Sequence, residues 1–187
     1  ASTGVIGMQL PMDKICEGIN RLPDYLEATK QAGTTAAEAI MTTDTVSKEV
    51  AVTVDISGKE VTVGGMCKGA AMLCFITSDA NIDKSVLQKM TSEIVDDSFN
   101  MISVDGDTST NDTALVMANG MAGNDIITDG SEDYNKFYEA LNYVFTELSK
   151  KIAGDGEGCT CLFEAQVINA KSKQTAKVLA KSIITSN

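Results

Sequence analysis

A chain of 187 residues with 43% apolar and 22% charged side chains is long enough to bury a core and ordinary for a soluble globular protein. Its 15 basic against 26 acidic residues give a formal charge of -11, a surface that repels phosphate backbones and anionic lipid, so nucleic-acid and membrane partners are set aside. The absence of histidine excludes any Ser-His-Asp or Cys-His arrangement within the chain, and a nucleophile here would need its own amino terminus or a lysine as base.

In chain order, the opening Ala1-Ser2-Thr3-Gly4 reads as protein interior, with no basic-then-apolar leader. The periodicity predicts a helix over Pro11 to Leu22 with Ile15, Ile19 and Leu22 on one face. A short Ala-rich helix is expected from Thr34 to Met41, capped by Thr34 or Thr35. Val50, Val52, Val54 and Ile56 alternate strictly, Ser57-Gly58 turns, and Val61 and Val63 resume, which together predict a β-hairpin. Ala71 to Thr77 reads as a buried central strand. Asp83 is expected to cap a helix carrying Val86, Leu87, Met90 and Ile94, and Ala114 to Met117 to form a further strand. Ser131 opens a long helix that Gly154 ends. Leu162 to Ile168 reads as a strand, and Ser172 to Ile184 as a last helix with Ala176, Leu179, Ala180 and Ile183 inward. Interleaved helices and strands with one hairpin predict a single layered α/β (α+β) domain over residues 1–187.

The longest apolar run, Ala70 to Ile76, falls far short of the about 20 residues that span a bilayer. Five cysteines, an odd number without a spaced framework, point to reduced thiols in a cytoplasm-like compartment. Cys159 and Cys161 are read as buried small hydrophobes on one strand face, and no zinc site is expected of them. Asp105 to Asp112 resembles a calcium loop but has Thr110 at the sixth position, where the sharp turn needs glycine, so a turn held by its own Asx and Ser/Thr side chains is preferred. Gly154-Asp155-Gly156-Glu157-Gly158 runs from helix to strand, the reverse of a phosphate-cradling loop, and holds Glu157 at an exposed place. Thr3-Gly4 offers adjacent backbone donors that suit an oxyanion hole, though the dipeptide by itself reads first as a simple turn. Lys68, at the mouth of the buried strand, suits a carboxylate as a point charge or lies along the surface.

Taken together these blocks resemble one family. Ala1 to Gly7 with Leu10-Pro11-Met12 is similar to the "STGVIG…LPM" segment of ornithine acetyltransferases, the glutamate N-acetyltransferases. Ala39 to Thr45 matches "AIMTTDT", Phe75 to Ala80 is close to "FITTDA", and Asp107 to Thr113 and Gly154 to Gly158 match two more blocks in the same order. The resemblance implies a self-cleaving enzyme in which a threonine, freed by backbone cleavage, uses its own amine as base. Its hydroxyl takes acetyl from N-acetylornithine, and glutamate collects it; some members also use acetyl-CoA as co-substrate, and no other cofactor is implied. The implied fold is a layered αββα sandwich with mixed or antiparallel strands. The two pieces of the precursor stay together and oligomerise, in the cytoplasm or, for a eukaryotic member, the mitochondrial matrix. Carried over by residue, Thr3 and Gly4 would form the oxyanion hole, Thr42 or Thr43 and Lys68 would contact substrate, and Glu157 would hold its amino group.

The chain departs from the family at the cleavage site, where the family reads "KGSGMI-x-PNMATML". Here Lys68-Gly69 runs directly into Ala70-Ala71-Met72-Leu73, so the nucleophile position falls on Ala71 and no hydroxyl stands there. On the logic of an amino-terminal threonine, about eight residues of that stretch have no counterpart, and the shortened segment cannot reach as far at about 3.5 Å per residue. Three readings stand side by side. The chain is a portion of an enzyme, with its second chain or missing segments elsewhere and its junction near 69–71, a reading the well-kept pattern favours. Or it is an inactive relative that binds ornithine- or glutamate-like amino acids. Or Cys67, Cys74 or Thr77 acts instead, without a free amine or histidine to activate it.

Overall fold

The computed structural model describes residues 7–69, 71–104, 106, 109–156 and 158–186. Nine residues of alternating parity build β1 (Lys48–Ile56), which runs antiparallel to β2 (Lys59–Lys68) through a two-residue turn. Both turn residues have positive φ, Ser57 at 52° and Gly58 at 72°, the conformation whose twist matches a hairpin. Asp55 secures the turn by accepting from the Gly58 amide at 3.2 Å. β2 pairs antiparallel with β3 (Leu73–Ser78), which pairs in parallel with β4 (Thr113–Ala118), so the sheet order follows the chain, β1-β2-β3-β4.

Two helices cover one face of this sheet. The parallel β3–β4 crossover is made by α3 (Lys84–Asp97), whose N-cap Asp83 accepts from the Ser85 and Val86 amides. The 22-residue α4 (Glu132–Ala153) lies across β1 and β2, capped by Ser131 and ended at Gly154. Between them sits the core: Ile56, Val61, Val63, Cys67, Cys74 and Ile76 from the sheet against Met90, Ile94, Phe137, Leu141, Val144, Phe145 and Leu148. The buried Asn124 and the half-buried Asn81 fasten the loop after β4 to the end of β3, with the Asn81 backbone amide donating to Asn124 Oδ1 at 2.9 Å and the Asn124 side chain donating to the Asn81 carbonyl at 3.1 Å.

The mixed α/β class expected from the sequence is the class found, with a mixed four-stranded sheet and five helices. The described residues supply one sheet and a helical layer of α3 and α4 on one face; the opposite face, with Ala51, Met66, Phe75, Leu115 and Met117, is met by α2 (Lys30–Ala39) near the start of β1, where the Thr34 hydroxyl donates to Glu49 at 2.8 Å.

Four local expectations need correction. The Ala-rich helix α2 is Lys30–Ala39, capped by Thr29, which accepts from Ala32 at 3.1 Å; Thr34 and Thr35 lie inside it, because Gly33 is absorbed rather than breaking the helix. Residues 162–168 form no strand, since among the described residues no neighbouring strand completes a ladder with them, and Leu162 and Phe163 are exposed. Cys159 and Cys161 are therefore exposed, not buried. In the last helix, α5 (Lys173–Ile184), Leu179 and Ile183 face outward, because Lys173 and Lys177 dock the helix on Asp96 and Asp97 of α3. The first helix, α1 (Met12–Arg21), and the single turn after it leave Ile19 and Leu22 exposed, with only Ile15 partly covered. Among the described residues no helix is long and apolar enough to cross a membrane.

Candidate functional site

Four sequence blocks that lie far apart along the chain converge where β1 begins and β2 ends. β1 places its even residues on the covered face, and the first of them is Lys48, a cation where the pattern otherwise puts Val50, Val52, Val54 and Ile56. Its side chain is 1% exposed. The ammonium donates to Asp44 Oδ1 at 2.7 Å, to the Val46 carbonyl at 3.1 Å and to Asp155 Oδ2 at 2.5 Å, so all three of its donors are used. Asp155 arrives from the other direction. It follows Gly154 directly, so the end of α4 delivers its carboxylate to the start of β1.

Both carboxylates hold further backbone. Asp44, 2% exposed, accepts from the Gly69 amide at 2.8 Å and the Thr42 amide at 3.2 Å. Asp155 accepts from the Thr45 amide at 3.0 Å and from the Thr45 hydroxyl. Burial alone would push Asp155 up, but the bonds from Lys48 and Thr45 outweigh it and hold the carboxyl at about 2. The same contest, with burial opposing and Lys48, Gly69 and Thr42 prevailing, holds Asp44 below the usual range. Burial pulls Lys48 down, and Asp155 and Asp44 more than reverse it. All three groups are charged at neutral pH, and desolvating such a set is offset by the three bonds that the ammonium donates and the three that each carboxylate accepts.

Lys68 closes β2 and is fully buried. Its ammonium donates to Thr42 Oγ1 and to the Gly69 carbonyl, each at 3.2 Å. Lys68 pairs across the ladder with Leu73, so the four residues 69–72 join the two strands. Within that connection Ala71 is half-buried and has φ +56°. The far arm is held by Asp112, which accepts from the Met72 amide at 2.8 Å, and by the Thr113 amide, which donates to the Met72 carbonyl at 2.9 Å.

Of the residues singled out in the sequence, Thr42, Lys68 and the turn bearing Ala71 are thus brought together. Thr43 is exposed in the same loop as Thr42. Thr3, Gly4 and Glu157 lie outside the described residues, as does Ala70, one side of the suspected junction. Cys67 and Cys74 face the opposite way, into the core; burial pushes the Cys67 thiol up to about 12 and Cys74 further, so neither offers a thiolate. Thr77 is exposed on the sheet face away from α3 and α4. Sequence reasoning missed Lys48, and passed over Asp44 and Asp155 within blocks it had quoted. The available signal was a lysine on the apolar parity of a strand.

The whole chain, residues 1–187, matches the sequence model of the ArgJ family. The chain belongs to the ArgJ family. It is 51% identical to the arginine biosynthesis bifunctional protein ArgJ 1 of Clostridium acetobutylicum over an alignment covering all of this chain and 47% of that protein. Its identity to the ArgJ protein of Caldanaerobacter subterraneus subsp. tengcongensis is 48%, covering all of this chain and 48% of that one. The crystal structure of the Bacillus halodurans ArgJ protein superposes with a TM-score of 0.58 at 48% identity, covering 60% of this chain and 53% of that chain. The chain therefore spans about half the length of the ArgJ relatives it matches. The Clostridium alignment runs over 195 residues, eight more than the 187 of this chain.

Proposed function

We propose that this chain carries the amino-acid-recognising core of an ArgJ-type acetyl-transfer site, the kind at which N-acetylornithine gives its acetyl group to glutamate, and that in this sequence the core binds such amino acids without turning them over. One observation carries the reading: a fully buried ammonium, Lys68, rests on the Thr42 hydroxyl at 3.2 Å beside a turn whose nucleophile position is an alanine. An ammonium there suits an α-carboxylate, and a carboxylate at Glu157, as the resemblance implies, suits an α-amino group. Thr3 and Gly4 would supply donors to a developing oxyanion.

Transfer through an acyl-enzyme needs a hydroxyl or thiol with a base beside it. Residues 69–72 are Gly, Ala, Ala and Met, and none can take the acetyl group. Calorimetry with ornithine, N-acetylornithine and glutamate is expected to show binding, while labelled-acetyl exchange is absent and the intact mass shows neither an acetyl adduct nor cleavage. No heat with any of the three would reject the binding site; an acetyl adduct would reject the lack of turnover.

A second reading, a portion of an active transferase that lacks a loop and partner segments, is favoured by the eight residues by which the Clostridium alignment exceeds this chain. Inserting the corresponding stretch of that relative before Ala71, with threonine at the nucleophile position, should then restore self-cleavage once the remaining segments are supplied. Acetyl-CoA as an alternative donor and assembly into oligomers belong to this second reading.

A further inference from the structure

We propose that Lys48 is a positioning residue for the amino-acid site, an inference that rests on the binding site proposed above. Its ammonium touches no residue assigned to the ligand. It acts through Asp44, whose Oδ1 accepts from Lys48 at 2.7 Å and from the Gly69 amide at 2.8 Å, and whose Oδ2 accepts from the Thr42 amide. Gly69 and Thr42 also supply a carbonyl and a hydroxyl that accept from the Lys68 ammonium. Held by Lys48, the Asp44 carboxylate therefore ties the Gly69 end of β2 to the Thr42 loop on either side of the Lys68 contact, and Lys48 is the cation that fixes it. Through Asp155 it also ties in the segment after α4, in which Glu157 follows two residues later in sequence.

The charges explain why a lysine is required. Asp44 and Asp155 meet at one ammonium, each within hydrogen-bond reach of it and each nearly buried. Without the cation, two carboxylates face each other in a poorly solvated place, and the loop at 42–45 separates from the 154–156 segment or one carboxylate takes up a proton. Either outcome releases the Gly69 and Thr42 amides and frees the Lys68–Thr42 contact to drift. A neutral pair would not repel, so Asp155→Asn should relieve part of the damage done by Lys48→Met.

The test compares Lys48→Met, the double variant Lys48→Met/Asp155→Asn, and Asp133→Ala. The last breaks the bond from the Ser57 hydroxyl that anchors the opposite end of α4, and so perturbs the same helix without touching the site. Calorimetry with ornithine or glutamate should show Lys48→Met weakened about tenfold or more, the scale of a lost charge-assisted bond, with partial recovery in the double variant and none of the loss in Asp133→Ala. Amide hydrogen exchange on the ligand-free chain should speed up at Thr42, Thr45 and Gly69 in Lys48→Met, with α3 unchanged. Equal affinity, or unchanged exchange at those three amides, would overturn the role of Lys48. A wild-type chain that binds no amino acid would instead reject the binding site, and the exchange measurement would still decide whether Lys48 holds the loops.

Discussion

At φ +56° Ala71 lies in the left-handed region, where a Cβ crowds the following carbonyl at a cost of roughly 1–2 kcal/mol. Ala71→Gly removes that crowding and adds some unfolded-state entropy, so urea titration should show a gain of about 1 kcal/mol. Ala71→Thr restores the family's hydroxyl but adds a β-branch in the same region, and a further loss of about 1 kcal/mol is expected. Acetyl exchange should stay at background, since the new hydroxyl follows an intact peptide bond and has no free amine as base; measurable exchange by Ala71→Thr would show that the turn opens. In the Lys48 cluster, Asp155 supplies a pH signature. Its carboxyl is depressed from 3.8 to about 2, so its contribution is complete above about pH 5 and is lost as pH falls through 3.8 toward 2. That amounts to about 2 kcal/mol at most. Asp155→Asn should flatten the decline of the urea midpoint between pH 5 and 2, and a slope as steep as that of the unaltered chain would show that Asp155 is not responsible.

The close approach of α4 to the sheet depends on Gly65. A Cβ there would stand 2.8 Å from Ile76 Cγ1 and 3.1 Å from Leu148 Cδ1, both in the filled core. Gly65→Ala should therefore destabilise by roughly 1–3 kcal/mol, read as a lower urea midpoint with an unchanged slope. Elements defined by local chemistry were legible in the sequence for the same reason that they are stable: Asp83, Ser131 and Ser172 cap their helices as their side chains suggest, and Ser57-Gly58 turns the hairpin. Where structure depends on a distant neighbour, local pattern misled. Residues 162–168 have strand-like composition without a partner strand, and the orientation of α5 is set by lysines reaching Asp96 and Asp97 rather than by its apolar spacing. The site divides in the same way. Thr42 and Lys68 came from matching blocks, whereas the Lys48 clamp joins residues 44, 48 and 155 and emerges only when α4 is laid across β1.

For the molecule as a whole, the sheet face away from α3 and α4 is the feature that bears on association. Ladder partners bring Met66, Phe75 and Leu115 into one row and Thr77 and Met117 into the next, on the side away from α3 and α4. Leu115 is 42% and Met117 49% exposed. A contiguous apolar face of this kind drives association in water, and the charge of -11 opposes it only where carboxylates surround the patch. Sedimentation should accordingly show the chain associating reversibly as its concentration rises. Replacing Leu115 and Met117 together by glutamate places two further negative charges on the β4 edge of that face and removes two exposed apolar side chains. The double variant should remain monomeric over the same concentrations. Because neither side chain contributes to the buried core, its urea midpoint should change by less than about 0.5 kcal/mol per site. A chain that stays monomeric without any substitution would show that this face is adequately solvated by itself. Association that persists in the double variant would move the contact to another exposed apolar stripe, such as Ile19 and Leu22 at the first helix.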